Sequence, residues 1–322
     1  MVKMELKDTI WIEKYRPQKF SEIKGQEKIV ERVEAMTKLK NIPHMLFSGP
    51  PGCGKSTLAL ATAKELYGES WHQNFLELNS SDERGIDTIR GIIKDYARVK
   101  PMGDFPFKII FLDESDNLTK DAQHALRRTM ETYSNTTRFI FGANYSSKII
   151  DPILSRCTVF RFKPLEDKNI KEIIKNIEKT EKITVTEDAV KALINISEGD
   201  CRKLENTLQS CAAIDNDITE DLVYSLISAA RPKEVKEILE IALKGDFLTA
   251  RERLLDTMLK YGLSGLDIIK QMQKEIWSLS IEDNKKIYLI DKCGDIEFRI
   301  VEGSDEFVQL ESFLANVISV NK

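Results

Sequence analysis

The chain has 322 residues, of which 42% are hydrophobic and 31% charged, and 48 basic residues against 52 acids leave a formal net charge of −4. That length and balance suit a globular protein of two or three domains, and the slight acidity excludes a chain that coats nucleic acid over its whole surface. No apolar run approaches the roughly 20 residues of a membrane span, residues 1–8 lack a signal peptide's apolar stretch, and the five cysteines form no C-x-x-C pair; the expectation is an intracellular protein in a reducing compartment, with no zinc site or disulfide framework.

Trp11-Ile12-Glu13-Lys14-Tyr15-Arg16-Pro17 is an aromatic, charged approach that Pro17 keeps extended. Its side chains, Tyr15 and Arg16 among them, suit either packing on an adenine ring or a strap over the core. Ile23-Lys24-Gly25-Gln26 is expected to begin a helix, with Ile29, Val30, Val33 and Met36 on its apolar side. His44-Met45-Leu46-Phe47-Ser48 reads as a strand and Thr57-Leu58-Ala59-Leu60-Ala61 as a helix. Between them, Gly49-Pro50-Pro51-Gly52-Cys53-Gly54-Lys55-Ser56 matches G-x-x-x-x-G-K-[ST] in the strand–loop–helix context that a phosphate-binding loop requires. Glycines let backbone N–H groups turn inward around a polyphosphate, and the helix N-terminus adds partial positive charge. Lys55 suits the β- and γ-phosphates of ATP, and the Ser56 hydroxyl suits Mg²⁺.

Downstream, Phe75-Leu76-Glu77-Leu78-Asn79 reads as a strand, followed by a helix with Ile86, Ile89 and Ile93 inward. Arg90, Lys94 and Arg98 recur at every fourth position on another face, as a solvated row or as a track for a phosphate backbone. Phe107-Lys108-Ile109-Ile110-Phe111-Leu112 is a strand ending in Asp113-Glu114-Ser115-Asp116. Behind a phosphate loop, that strand-end pair suits the second half of an ATPase site: Asp113 for Mg²⁺ and Glu114 for the attacking water. A helix over residues 120–132 turns Ala122, Ala125, Leu126 and Met130 inward and carries Lys120, His124, Arg127 and Arg128 as a second basic stripe. The strand Arg138-Phe139-Ile140-Phe141-Gly142-Ala143-Asn144 ends in an amide that suits a γ-phosphate, the attacking water or simply a turn. After Lys148 and the Asp151-Pro152 turn come Ser155-Arg156-Cys157 and the strand Thr158-Val159-Phe160-Arg161-Phe162.

Strands and helices alternate as far as Phe162, which predicts an α/β core with a parallel sheet covered on both faces. From Pro164 the strand signals largely vanish. Helical patterns follow at Ile170, Ile173, Ile174 and Ile177, at Ala189, Leu193 and Ile196, and at Leu204 and Leu208 behind Gly199-Asp200-Cys201-Arg202. Arg231-Pro232 looks like a second boundary. Beyond it the apolar sets are Val235, Ile238, Leu239 and Ala242; Leu254, Leu255 and Met258; Ile268, Ile269, Met272 and Ile276; and Phe307, Leu310, Leu314 and Val317.

Together, Glu13-Lys14-Tyr15-Arg16-Pro17, the phosphate loop, Asn79-Ser80-Ser81-Asp82-Glu83-Arg84-Gly85-Ile86-Asp87, Asp113-Glu114 and Ser155-Arg156-Cys157 resemble the archaeal small subunit of replication factor C. The resemblance is dense over residues 8–230 and thinner beyond. It implies an AAA+ P-loop NTPase core (1–163), a helical lid (164–230) and a helical collar (231–322). It also implies a ring built with a large subunit and further small subunits, which places the PCNA clamp on primer–template DNA. By motif, Gly49, Pro50, Pro51, Gly52, Cys53, Gly54, Lys55, Ser56, Thr57, Tyr15 and Arg16 belong to the ATP site. Asn144 is the first sensor, Arg202 the second, and Arg156 the finger given to a neighbour's site; Arg84, Arg90 and Lys148 follow DNA, and Lys94 shares the row with Arg90. Cys53 replaces the usual Thr, Ser115 the usual Ala and Cys201 an apolar residue, and none of these removes a catalytic group. Two other readings remain at this stage: a translocating motor, although no aromatic-Gly pore loop is evident, and an ATP-switched scaffold or initiator-like DNA binder, which the intact Asp113-Glu114 pair and the lack of a winged-helix pattern after Arg231 disfavour.

Overall fold

A computed structural model describes residues 10–81, 86–227 and 231–320, with side chains for all of these except residues 86–90. Two compact units form, one from Met1–Ile183 with Leu193–Gln209 and one from Thr184–Ala192 with Ser210–Lys322.

The first unit is built on strands β1 (His44–Ser48), β2 (Phe75–Asn79), β3 (Lys108–Asp113), β4 (Thr137–Ala143) and β5 (Cys157–Arg161). They pair in parallel in the order β2-β3-β4-β1-β5. Because side chains alternate across a strand, Met45, Phe47, Ile109, Phe111 and Ile140 pack with helices Glu27–Lys38 and Lys55–Tyr67 on one face. Leu46, Ile110, Leu112, Phe139 and Phe141 pack on the other with Ile93 and Ala97 of helix Ile86–Arg98 and Ala122, Leu126 and Met130 of helix Lys120–Thr132. Both faces are covered, as the near-continuous apolar strands required. The chain leaves β1 toward β2 and returns to β5 on β1's other side, so the crevice beyond the carboxyl end of β1 is the natural ligand site of this topology. The helix expected near Ile23 starts only at Glu27, because Gly25 takes a left-handed φ of 75° and Gln26 sits at the N-cap.

In the second unit a short parallel pair, β6 (Thr184–Val185) and β7 (Asp217–Ile218), precedes a helical bundle. Its core takes Val235, Ile238, Leu239 and Ala242; Leu254 and Met258; Ile268, Ile269, Met272 and Ile276; and Leu310, Phe313, Leu314 and Val317. The last helix, Glu306–Ser319, buries positions i, i+3, i+4 and i+7, which leaves Phe307 exposed and takes Phe313 instead. Helix Asp283–Val301 adds Leu289, Cys293, Ile296 and Ile300.

Candidate active site

The loop after β1 is shaped by Gly52 and Gly54, both left-handed at φ 65° and 96°, and the helix begins at Lys55. At Gly52 a Cβ would stand 1.7 Å from Asp200 Oδ1, so the loop needs glycine there to lie against the turn ahead of Arg202. The Cys201 N–H closes that contact by donating to the Gly52 carbonyl at 3.1 Å. Lys55 is buried, and its ammonium donates to the carbonyls of Gly49 and Pro50 at 2.6 and 2.8 Å and to Asn144 Oδ1 at 2.9 Å. Those bonds occupy the donors an ammonium has, so an entering phosphate must take some of them over. Burial pulls Lys55 below the ordinary lysine range; nearby Arg202 adds to this, while Cys53, Asp113 and Asp116 oppose it. Cys53 is buried, and its thiol donates to the Pro50 carbonyl.

Helix and strand ends then meet. The Ser56 hydroxyl donates to Asp113 Oδ2 at 2.8 Å, and Asp113 Oδ1 accepts from the Glu114 N–H at 2.9 Å. Gly142 on β4 makes room, since a Cβ there would stand 2.7 Å from Asp113 Oδ1. A hydroxyl and a carboxylate converging on one spot are the hard oxygen donors that Mg²⁺ takes, so these residues fit the ion. Glu114 holds a left-handed φ of 50°, uncommon for a side-chain-bearing residue and frequent where function fixes a backbone. Its carboxylate accepts from Asn117 Nδ2 at 3.1 Å.

Arg202 is exposed at the start of helix Cys201–Ala212. Tyr15 and Arg16 are half-buried. The Tyr15 hydroxyl donates to Glu181, which Lys14 also reaches at 2.6 Å, so this segment straps onto helix Asp167–Glu181. Arg156 lies elsewhere. It precedes β5, whose Cys157 is in register with His44, the first residue of β1, whereas the phosphate loop leaves β1 at its far end. The strand alone separates the two by about 13 Å at roughly 3.3 Å per residue. Lys94 is exposed on helix Ile86–Arg98, and exposed Lys148 stacks 5.1 Å over the Tyr145 ring. Arg84 and the side chain of Arg90 lie outside the described residues.

Family models match the chain twice: the "ATPase family associated with various cellular activities (AAA)" over residues 45–165 and the "Replication factor C C-terminal domain" over residues 230–316. The chain is 52% identical over 307 residues to the replication factor C small subunit of Methanococcus maripaludis (strain C7), covering 95% of this chain and 98% of that one. It is 51% identical over 313 residues to the Archaeoglobus fulgidus protein of the same name, covering 97% and 98%. The chain belongs to the replication factor C small subunit family.

As a replication factor C small subunit with an AAA domain it is an ATPase, and the family name carries a clamp-loader role within a multi-subunit complex. Among solved structures, the Thermotoga maritima RuvB Holliday junction branch migration motor aligns with a TM-score of 0.56 at 19% identity, over 80% of this chain and 91% of that one. At that identity the likeness is one of fold. No described helix is long and apolar enough to cross a membrane.

The bracing of this site joins residues far apart in the chain and leaves little trace in the sequence. Asp116 accepts from the N–H groups of Asn144 and Tyr145 at 3.3 and 3.2 Å. Buried Gln123 donates to the carbonyls of Leu118 and Lys148, both at 3.1 Å, and accepts from the Ile150 N–H at 2.9 Å. The segment carrying Asn144 and Lys148 is thus held to the strand end that carries Asp113 and Glu114. A polar Gln between apolar Ala122 and Leu126 was the available signal.

Proposed function

We propose that this small subunit works in a clamp loader in which ATP binding and hydrolysis drive loading of the PCNA sliding clamp onto primer–template DNA. In this reading residues 1–163 form the nucleotide core, 164–230 the lid and 231–322 the collar that joins the large subunit and further small subunits. The observation that carries it is the divided site. Lys55, Ser56, Asp113, Glu114 and Asn144 gather beyond the carboxyl ends of the strands, whereas Arg156 stands at the opposite, amino-terminal end of the neighbouring strand β5. A finger so far from its own phosphate loop serves a neighbour's.

Lys55 and the loop N–H groups hold the β- and γ-phosphates, and Asn144 orients the γ-phosphate end. Ser56 and Asp113 hold Mg²⁺, which when bound neutralises phosphate charge. Glu114 orients a water and takes its proton as the oxygen attacks phosphorus and the bond to the β-phosphate oxygen breaks. Arg202 senses the nucleotide from the lid, and Tyr15 and Arg16 lie along the segment that borders the base. Arg156 from the adjoining subunit neutralises the charge that develops on the transferring phosphoryl group. Lys94 and Lys148, with Arg84 and Arg90, follow the DNA backbone as spaced cations.

The Arg156→Ala variant, assembled with unmodified partner subunits, is expected to bind ATP as before and to lose DNA- and clamp-stimulated hydrolysis by about a hundredfold or more. Nucleotide titration and steady-state turnover with primed DNA and clamp measure both. Unchanged stimulated turnover refutes the trans assignment. Processive strand displacement by the assembled complex would favour a translocating motor instead.

A further inference from the structure

A long arginine on a surface samples many rotamers, and a trans-acting guanidinium is effective only where the neighbour's phosphate will be. Arg156 is held at two points. Its Nη2 donates to Glu131 Oε1 at 2.6 Å, and its Nη1 donates to the Pro152 carbonyl at 2.7 Å and, more weakly, to Ser155 Oγ at 3.4 Å. Among the described residues, Nε–H has no acceptor of its own. Glu131 lies in the last turn of helix Lys120–Thr132, and the same Oε1 accepts from Arg127 Nε at 3.0 Å. Two guanidiniums thus converge on one carboxylate oxygen. Arg127 and Arg156 hold the Glu131 carboxyl below the ordinary range, so it is charged at neutral pH. A cleft of about 350 Å³ is lined by Arg156 together with Asn41, His44, Ser134 and Arg138. Without Glu131 the side chain has room to fold into it. Exposed ion pairs contribute little to stability, so this carboxylate's value lies in where it puts the arginine.

We propose that Glu131 is the positioning residue for the arginine that this chain presents to its neighbour's ATP site. The proposal rests on the reading of Arg156 above. In this role Glu131 acts through Arg156 alone, by setting the starting position of its guanidinium.

The test uses the complex reconstituted with unmodified partner subunits, primer–template DNA and clamp. Glu131→Ala is expected to lower stimulated kcat about tenfold with KM for ATP unchanged, as expected for a misplaced transition-state group. Glu131→Gln recovers most of the loss, because its amide oxygen still accepts from Arg156. The double variant Glu131→Ala/Arg156→Ala turns over no more slowly than Arg156→Ala alone, since Glu131 acts only through that arginine. Wild-type kcat in Glu131→Ala, beside a strong loss in Arg156→Ala, overturns the positioning role and leaves the finger standing. A double variant slower than Arg156→Ala places Glu131's action elsewhere and also overturns the proposal. Wild-type turnover in Arg156→Ala removes the finger reading, and the proposal with it.

Discussion

Glu205 is 5% exposed on the helix that opens with Cys201 and Arg202, and its carboxylate accepts from the Cys201 thiol at 3.3 Å. Burial raises its pKa to about 7; the Cys201 bond and Arg202 oppose the rise, while Asp200 and Glu13 add to it. The folded protein therefore holds this proton more tightly than the unfolded chain does. Stability falls as pH rises from the ordinary carboxylate range through about 7, and the whole penalty is present above that. Glu205→Gln keeps the shape and removes the charge. It is expected to stabilise the protein by up to about 3 kcal/mol near pH 8 and by little near pH 5. Thermal melts of both proteins at the two pH values measure this; an equal gain at both would assign the effect to packing.

At the scale of elements, residues 144–150 connect the ATP site to Lys148, and Gln123 is the tie. A Gln123→Leu substitution fits the apolar side of its helix but strands two carbonyls and an N–H in the interior. The expected cost is about 1–3 kcal/mol in stability. Stimulation of hydrolysis by DNA should fall further than basal hydrolysis, because Lys148 loses its anchor; equal losses would mean that the tie is structural alone. The ease of reading these elements from sequence follows from the range of the interactions that shape them. Strands such as Phe75–Asn79 and the phosphate loop announce themselves in consecutive residues, through apolar runs and a fixed glycine spacing. The strand that ends at Asp113 was legible because a strand end is a local event. The contacts of Gly52 with Asp200, Gln123 with Ile150 and Tyr15 with Glu181 join residues far apart in the chain, and no local period encodes them. Helix Asp283–Val301 escaped because its buried stripe of Leu289, Cys293, Ile296 and Ile300 runs among many charged neighbours.

For the whole molecule, an ATP site completed by a neighbour, as proposed above, would need a surface that brings the neighbour there. The helical bundle of the second unit supplies apolar side chains that its own core does not use. Leu259 is 78% exposed and Phe298 66%, with Trp277, Ile287, Val301 and Val308 also facing outward. Single exposed apolar residues are ordinary, but so many on one bundle favour a partner surface. Phe298 and Val301 lie three residues apart on the same helix, so one partner element can cover both. The variant Phe298→Glu/Val301→Glu should melt like the parent, because neither side chain contributes to the bundle core. Native mass measured alone and with the large subunit is expected to shift toward the single chain. ATP binding should persist, since Lys55 and Ser56 belong to the other unit, while stimulated hydrolysis falls with the loss of the neighbour's Arg156. Wild-type assembly in that variant would place the joining surface on another part of the bundle.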